Sequence, residues 1–234
     1  MQEENIMNFI NSYFESNEYF FITIINHQNN KTTNYHHNIH SFQRNLSRIL
    51  YANNENSIYF TINSFKDEEN SFLNKYKYPA KVKGNVSKVK ALVFDFDDPT
   101  TSKLNVANLI KTLKILPTYT LRTSPRKFQI CFMLNDSVDS LNWEKVNKTL
   151  AYYFDSDINV CSMEKLFRLP YFINRKNDFQ TKLINPDFSF RYDFKIFEDF
   201  IKNTTDKKML EAINRANKIK HNTPRIRKLI PKDS

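Results

Sequence analysis

The chain of 234 residues contains one glycine, Gly84. A Walker loop and a dinucleotide-binding turn each need several glycines, because only glycine lets the backbone approach phosphate closely. Neither can be built here, which excludes a P-loop motor and a Rossmann oxidoreductase. The two cysteines, Cys131 and Cys161, have no CxxC spacing, so a disulfide framework and a four-cysteine zinc site are excluded as well. Both are expected as reduced, buried thiols of a cytoplasmic protein. No run of about 18 apolar residues marks a transmembrane helix. The N-terminal MQEENIMNFINSYFESNEYFF begins acidic, where a signal peptide would begin basic, so no signal peptide is expected, and no membrane partner is expected either. The formal net charge of +10 favours a polyanionic partner, nucleic acid before membrane. A composition biased toward Lys, Asn and Ile would give the same surplus, and charge alone leaves both readings open.

Apolar periodicity places a helix over 3–14 and a strand over 19–26. A polar loop is expected at 27–40, a helix at 41–52 and a strand at 57–63. Gly84 marks a turn, and a buried strand follows at 90–96. A helix is expected at 103–115, then two strands, 118–124 and 128–134, around a tight turn at Ser124–Lys127. Asp139 or Ser140 caps a helix running to 154, with Trp143 on its apolar face as a core residue. Strand signals continue through TKLIN and stop near 190–195. The remainder reads as two helices and a mobile basic end, HNTPRIRKLIPKDS. Interleaved strands and helices specify an α+β or mixed α/β fold. The expected organisation is a catalytic unit over 1–192 and a helical basic extension over 193–234.

The chemistry concentrates in KALVFDFDDPT, residues 90–100. In a strand, residues two apart share a face, so Asp95 and Asp97 project together and Phe96 points the other way. Two carboxylates on one face repel unless a cation lies between them. Magnesium is commonly held by one or two carboxylates together with substrate phosphates. The competing reading is a strand end frayed into a solvated acidic turn. Downstream, Asp155 and Asp157 precede Lys165, Arg168, Arg175 and Lys176, a pairing of acids and cations suited to phosphoryl chemistry or to a plain basic surface. The hairpin RTSPRKFQ adds Arg122, Ser124, Arg126, Lys127 and Gln129, donors suited to phosphate oxygens or to a plain basic surface turn.

In this order, VFDFDD, TSPRKFQICFML and Asp157 followed eleven positions later by Arg168 in RLPYFINRK resemble the archaeo-eukaryotic primases, in particular the RepB-like plasmid primases and primase-polymerases. SIYFTINSFK upstream also resembles the segment before the first aspartate of that family. The resemblance covers about 55–176. It implies an α+β fold, an RRM-like sheet joined to a small α/β unit with the cleft between them. It implies DNA-templated primer synthesis by two-metal nucleotidyl transfer, with Mg²⁺ or Mn²⁺ on Asp95, Asp97 and Asp157. Ser124, Lys127 and Gln129 match the nucleotide-phosphate motif, and Arg168, Asn174 and Lys176 match the later basic motif. The implied partners are a single-stranded DNA template, nucleoside or deoxynucleoside triphosphates and a replicative helicase, in the replication of a plasmid, phage or other mobile element. Arg126 and Tyr171 stand where the family has glycine, which would narrow backbone approach to the nucleotide.

Two other readings compete. A HAD-like phosphohydrolase is suggested by LVFDFDDPT, although Pro99 occupies the position where that motif wants Thr or Val. A non-catalytic DNA-binding initiator module would keep the charge and let the acidic strand lapse. YHHNIH, with His36, His37 and His40, could suggest a zinc or nuclease site, but its Asn-rich surroundings read as a solvated loop. The tail cations, Lys207, Lys208, Arg215, Lys218 and Lys220 with Arg225, Arg227 and Lys228, are expected to help hold template or the first nucleotide.

Overall fold

A computed structural model describes residues 1–75 and 77–218. Along the chain run α1 (Gln2–Tyr13), β1 (Phe20–Ile25), β2 (Thr32–His37), α2 (Ile39–Ala52), β3 (Ser57–Thr61), β4 (Ser64–Phe65), β5 (Val86–Lys88), β6 (Ala91–Phe96), α3 (Ser102–Leu113), β7 (Tyr119–Ser124) and β8 (Lys127–Leu134). Next come α4 (Ser140–Phe154), β9 (Leu166–Arg168), β10 (Ile173–Asn174), β11 (Phe179–Gln180), β12 (Lys182–Ile184), β13 (Arg191–Tyr192), α5 (Lys195–Asn203) and α6 (Lys207–Lys218). The α+β reading holds. Residues 220 and 225–228, including four of the tail cations named above, lie outside the described residues.

Two sheets carry the fold. The first, ordered β2-β1-β3-β9, is antiparallel throughout. In the second, β8 is central: β7 and β6 flank it antiparallel, β12 extends the β7 side, and β13 joins β8 in parallel at Met133–Leu134. The run β6-α3-β7-β8-α4 is a split βαββα unit with both helices on one face. Strand alternation sorts the side chains. Leu92, Phe94 and Phe96 pack with Ile130, Phe132 and the α3–α5 residues Leu109, Trp143, Phe154 and Phe197. Ala91, Val93, Cys131 and Met133 face the other way, into a core shared with α1, α2 and the first sheet. Trp143 is fully buried, as expected, and its Nε1–H donates to Ala91 O at 3.0 Å. Both cysteines are buried free thiols, pushed up to about 12 by burial, and are chemically quiet for that reason.

The polar loop expected at 27–40 is a correction. Residues 32–37 form β2, an edge strand paired with β1 from Phe20↔His37 to Ile25↔Thr32, and Asn38 caps α2 through Ser41. An edge strand with one solvated face needs no apolar alternation, so its sequence looks like a loop. His36 and His37 are accordingly withdrawn from solvent, while His40 is exposed. His36 stacks on Tyr19 and lies tilted against Phe21, with ring centroids 4.9 Å from each. His37 is buried against Phe42, and burial, then His36, pushes its pKa down to about 4.

Scarcity of glycine has a visible cost. Gly84 has an ordinary φ, and what its position requires is space: an added Cβ would meet the Phe72 ring at 2.9 Å. The left-handed positions fall instead to side-chain-bearing residues, among them Lys114 at φ 57°, Asp155 at 57° and Tyr171 at 69°. Lys114 ends α3, its N–H donating to Ile110 O at 2.9 Å, and its side chain is exposed. The second core extends into the C-terminal helices through Phe194 and Phe197, and α6 buries Met209, Ala212 and Ala216 where it contacts α4. No helix among the described residues is long and apolar enough to cross a membrane. Lys114→Gly removes the Cβ penalty of the left-handed helix end and is expected to stabilise the protein by roughly 0.5–1 kcal/mol. Thermal denaturation should show a rise of about 1–4 °C, with Lys114→Ala giving none; equal melting of both variants would contradict the account.

Candidate active site

The apolar face shared by β6, β7 and β8 does not stay apolar to its end. In register after Val93 and Cys131 come Asp95 and Gln129, directly opposite each other, and on β7 Thr123 follows Leu121. On the first sheet, Tyr59 of β3 pairs with Arg168 of β9. Between these strand ends opens a cavity of about 310 Å³. Its lining includes eight of the nine residues that the resemblance assigns to the site: Asp95, Asp97, Ser124, Lys127, Gln129, Arg168, Asn174 and Lys176. Tyr59, Thr123, Leu166 and Asn177 complete it.

Asp95 is the buried centre. Gln129 Nε2 donates to its Oδ2 at 3.0 Å, while its Oδ1 is buried with no partner. Burial first, then the charges of Asp97 and Asp157, push its pKa up to about 7, against the opposing pull of Gln129 and Lys127. Asp97 is exposed and 3.5 Å from Lys127 Nζ. Asp98, the third acid of the run, accepts from Thr100 N–H at 2.8 Å and leads into α3. Two carboxylates thus face the cavity and one builds a turn, as the alternation predicts.

Asp157 is beside the cavity and not on its wall. Its N–H donates to Asp95 O at 2.9 Å, and its Oδ1 accepts from Asn159 N–H and Nδ2 at 2.9 and 2.8 Å. Ser156 fixes this loop to β6: Asp95 N–H donates to its Oγ at 2.9 Å, and the same hydroxyl donates to Asp95 O at 3.2 Å. Asp155 turns outward and pairs with Lys208 of α6 at 2.7 Å. Two residues apart, the acids are divided by the left-handed Asp155 into one that reaches α6 and one that faces Asp95.

The cations divide similarly. Arg168 is buried, its guanidinium 4.2 Å from the centre of the Tyr59 ring, with Nη1 left without a partner. Burial pushes its pKa down, against the pull of Tyr59, Asp95 and Asp97. Gln129 Oε1 accepts from Arg168 N–H at 3.3 Å, so one amide holds both charged residues. Asn174 Nδ2 donates to Thr123 O at 3.0 Å and joins β10 to β7. Arg175 is spent elsewhere, on Asn53 O at 2.6 Å and Asp178 at 3.1 Å. Arg122 closes the hairpin turn by donating to Pro125 O. Arg126 is exposed, and its carbonyl is held by Ser102 Oγ. Tyr171 adopts the left-handed conformation suited to glycine, and its ring packs on the shared core outside the cavity. Neither side chain at the two glycine-replacing positions lines the cavity.

Sequence reasoning missed Tyr59, although SIYFTIN was noticed; its role depends on the β3–β9 pairing, which joins positions 109 residues apart and leaves no local trace.

This is the architecture of a primase catalytic domain. A RepB' primase crystal structure superimposes with a TM-score of 0.61 at 15% identity, covering 91% of this chain, which spans 65% of that one. The archaeo-eukaryotic-type domain of the cyanophage S-2L primase-polymerase gives 0.64 at 12% identity, with 85% and 96% of the two chains covered. The catalytic domain of RepB' in complex with initiator DNA gives 0.60 at 16%, with 90% and 97% covered. No curated protein sequence matches the chain. Residues 26–188 match the RepB DNA-primase N-terminal domain family, and the chain belongs to that family, within the archaeo-eukaryotic primase superfamily. That assignment sets aside the phosphohydrolase reading.

Because Asp95 holds its proton more tightly folded than unfolded, it costs the ion-free protein stability as pH rises from about 4 through about 7. Asp95→Asn should therefore be more stable than the parent at pH 8, by roughly 2–4 kcal/mol, with the gap closing toward pH 4. Chemical denaturation in chelator across that range measures it; parallel profiles would mean Asp95 is not under this strain.

Proposed function

We propose that the chain synthesises primers on single-stranded DNA by nucleotidyl transfer from nucleoside triphosphates, in the replication of a plasmid, phage or other mobile element. One observation carries this reading. A buried carboxylate oxygen, Asp95 Oδ1, and a buried guanidinium nitrogen, Arg168 Nη1, both lack partners in the same cavity. Left unpaired, each is costly. A cation–polyphosphate pair satisfies both, with the cation on the acid and a phosphate oxygen on the arginine.

The acids fit divalent ions. Among the described residues no three His, Cys, Asp or Glu side chains stand ready as a cage; the ligands here are few, and triphosphate oxygens would complete the shell. Asp95, Asp97 and Asp157 are the residues assigned to hold two Mg²⁺ or Mn²⁺ ions. When bound, the ions supply charge neutralisation on the triphosphate and a lowered pKa for the primer 3′-hydroxyl. Gln129 keeps Asp95 turned so that Oδ1 faces the cavity. Ser124, Lys127, Arg168 and Lys176 meet phosphate oxygens, Lys176 from the exposed rim and Arg168 from a position fixed by Tyr59. Asn174 secures the end of β10, from which the turn carrying Lys176 leaves. Residues 1–192 are assigned as the catalytic unit and 193–234 as a helical basic extension, whose α5 and α6 contact α4, and a replicative helicase is the expected partner.

Primer synthesis from labelled nucleotides on single-stranded DNA, with and without Mg²⁺ or Mn²⁺, tests the proposal. Asp95→Asn and Asp97→Asn should each lower synthesis by more than about 100-fold with the fold retained, since catalytic ion sites contribute several kcal/mol. Near-normal synthesis by both would leave a DNA-binding initiator module as the better reading. Lys127→Ala and Arg168→Ala should weaken nucleotide use by about 10- to 100-fold. Asp157→Ala should be far more damaging than Asp155→Ala, whose partner is Lys208; the reverse order would shift the assignment by two residues.

A further inference from the structure

Among the described residues β6 is an edge strand, paired with β8 alone. In an antiparallel pair the backbone groups of alternate residues turn away from the partner strand. Asp95 is one of these outward-turned residues. Its N–H and C=O bond to the loop that follows α4, while Gln129, its register partner on β8, reaches it through the side chain. Buried edge groups of this kind must find partners. Water would serve on an open edge; here the chain itself supplies them.

Ser156 is the joint between helix and strand. Its N–H donates to Ala151 O at 2.9 Å, which closes α4 behind the left-handed Asp155. Its buried hydroxyl accepts from Asp95 N–H at 2.9 Å and donates to Asp95 O at 3.2 Å. The next residue adds a contact at the same carbonyl, Asp157 N–H donating to it at 2.9 Å. The side chain of Asp157 does not hold it there, because its Oδ1 accepts from Asn159 N–H and Nδ2 within its own turn. The two acids also repel. The place of Asp157 beside Asp95 therefore depends on the bonds that converge on the Asp95 backbone.

We infer that Ser156 is a positioning residue of the ion site: its hydroxyl keeps Asp157 against the edge of β6 beside Asp95, so that both acids serve the same divalent ions. The inference rests on the proposed primase function and on the assignment of Asp95, Asp97 and Asp157 to the ions. Ser156 touches neither ion nor nucleotide in this role. It acts through Asp157, and its loss falls on ion binding before anything else. Groups that orient metal ligands from behind typically contribute roughly 10- to 100-fold in metal affinity.

The test follows the full chain by two measurements. Binding of Mn²⁺ alone, read from loss of the free-ion EPR signal, gives ion affinity without turnover, and primer synthesis at graded Mn²⁺ gives the half-saturating concentration. Ser156→Ala should weaken Mn²⁺ binding by about 10- to 100-fold. It should raise the half-saturating concentration to match, with the apparent nucleotide affinity at saturating Mn²⁺ unchanged. Ser156→Thr keeps the hydroxyl and should stay close to the parent in both measurements. Asp157→Ala should lose Mn²⁺ affinity by itself, and adding Ser156→Ala to it should cost nothing further, since the serine acts through that acid. Parent-like Mn²⁺ binding by Ser156→Ala, or a further loss in the double variant as large as in the single one, would overturn the positioning role and leave the primase reading standing. So would synthesis lowered at every Mn²⁺ concentration with unchanged ion binding and a lower melting temperature, the mark of a serine that only supports the fold. A parent chain that neither binds Mn²⁺ nor makes primers would overturn both the inference and the function on which it rests.

Discussion

The position of Asp95 is the constraint on which the site depends. A carboxylate at the end of a fully buried strand, facing two further acids, is a state that water would not leave unopposed. The protein holds it with one neutral amide, Gln129, and with two bonds from Ser156 to the backbone of the same residue. Those contacts keep the geometry without neutralising the charge. The burden of neutralisation passes to whatever enters the cavity. The same is true of Arg168, which is cushioned by an aromatic ring and given no acid. Sites that separate buried opposite charges, rather than pairing them, are built for a ligand that carries both signs.

The elements around the cavity contribute by different means. β6 and β8 fix Asp95 opposite Gln129 by register, and a slip of one residue would send both to the apolar face. β9 brings Arg168 from the other sheet. The loop after α4 is held on two sides, by Ser156 against β6 and by Lys208 against Asp155, so the C-terminal helices reach the neighbourhood of the cavity through an ion pair two residues from Asp157. With glycine almost absent, several of the turns that make this possible are taken by residues under backbone strain, Asp155 and Tyr171 included.

Much of the site was legible because its residues lie on short regular pieces. Alternation alone placed Asp95 and Asp97 on one side and Phe96 on the other. The hairpin at Ser124–Lys127 followed from two apolar runs separated by Pro125 and Arg126. The family resemblance, with its eleven-residue interval from Asp157 to Arg168, picked out Arg168 and Lys176, which line the cavity, from Lys165 and Arg175, which do not. β2 was not legible: an edge strand with a wet face carries no periodic signal, and its histidines gained their burial from Tyr19, Phe21 and Phe42 on other elements.

By itself the sequence determined the fold class, the excluded nucleotide-binding architectures and the list of charged groups available for chemistry. These depend on local periodicity and on residue types that occur or do not. Only the tertiary structure decided which of those charges meet. Arg122, Arg126 and Arg175 look equivalent to Arg168 along the chain, yet three serve turns, backbone carbonyls or solvent and one is buried beside an acid-lined cavity. The difference arises from strand pairing over more than one hundred residues, between Tyr59 and Arg168. Burial of a charge is a property of everything packed around it, and no local stretch of sequence contains that information.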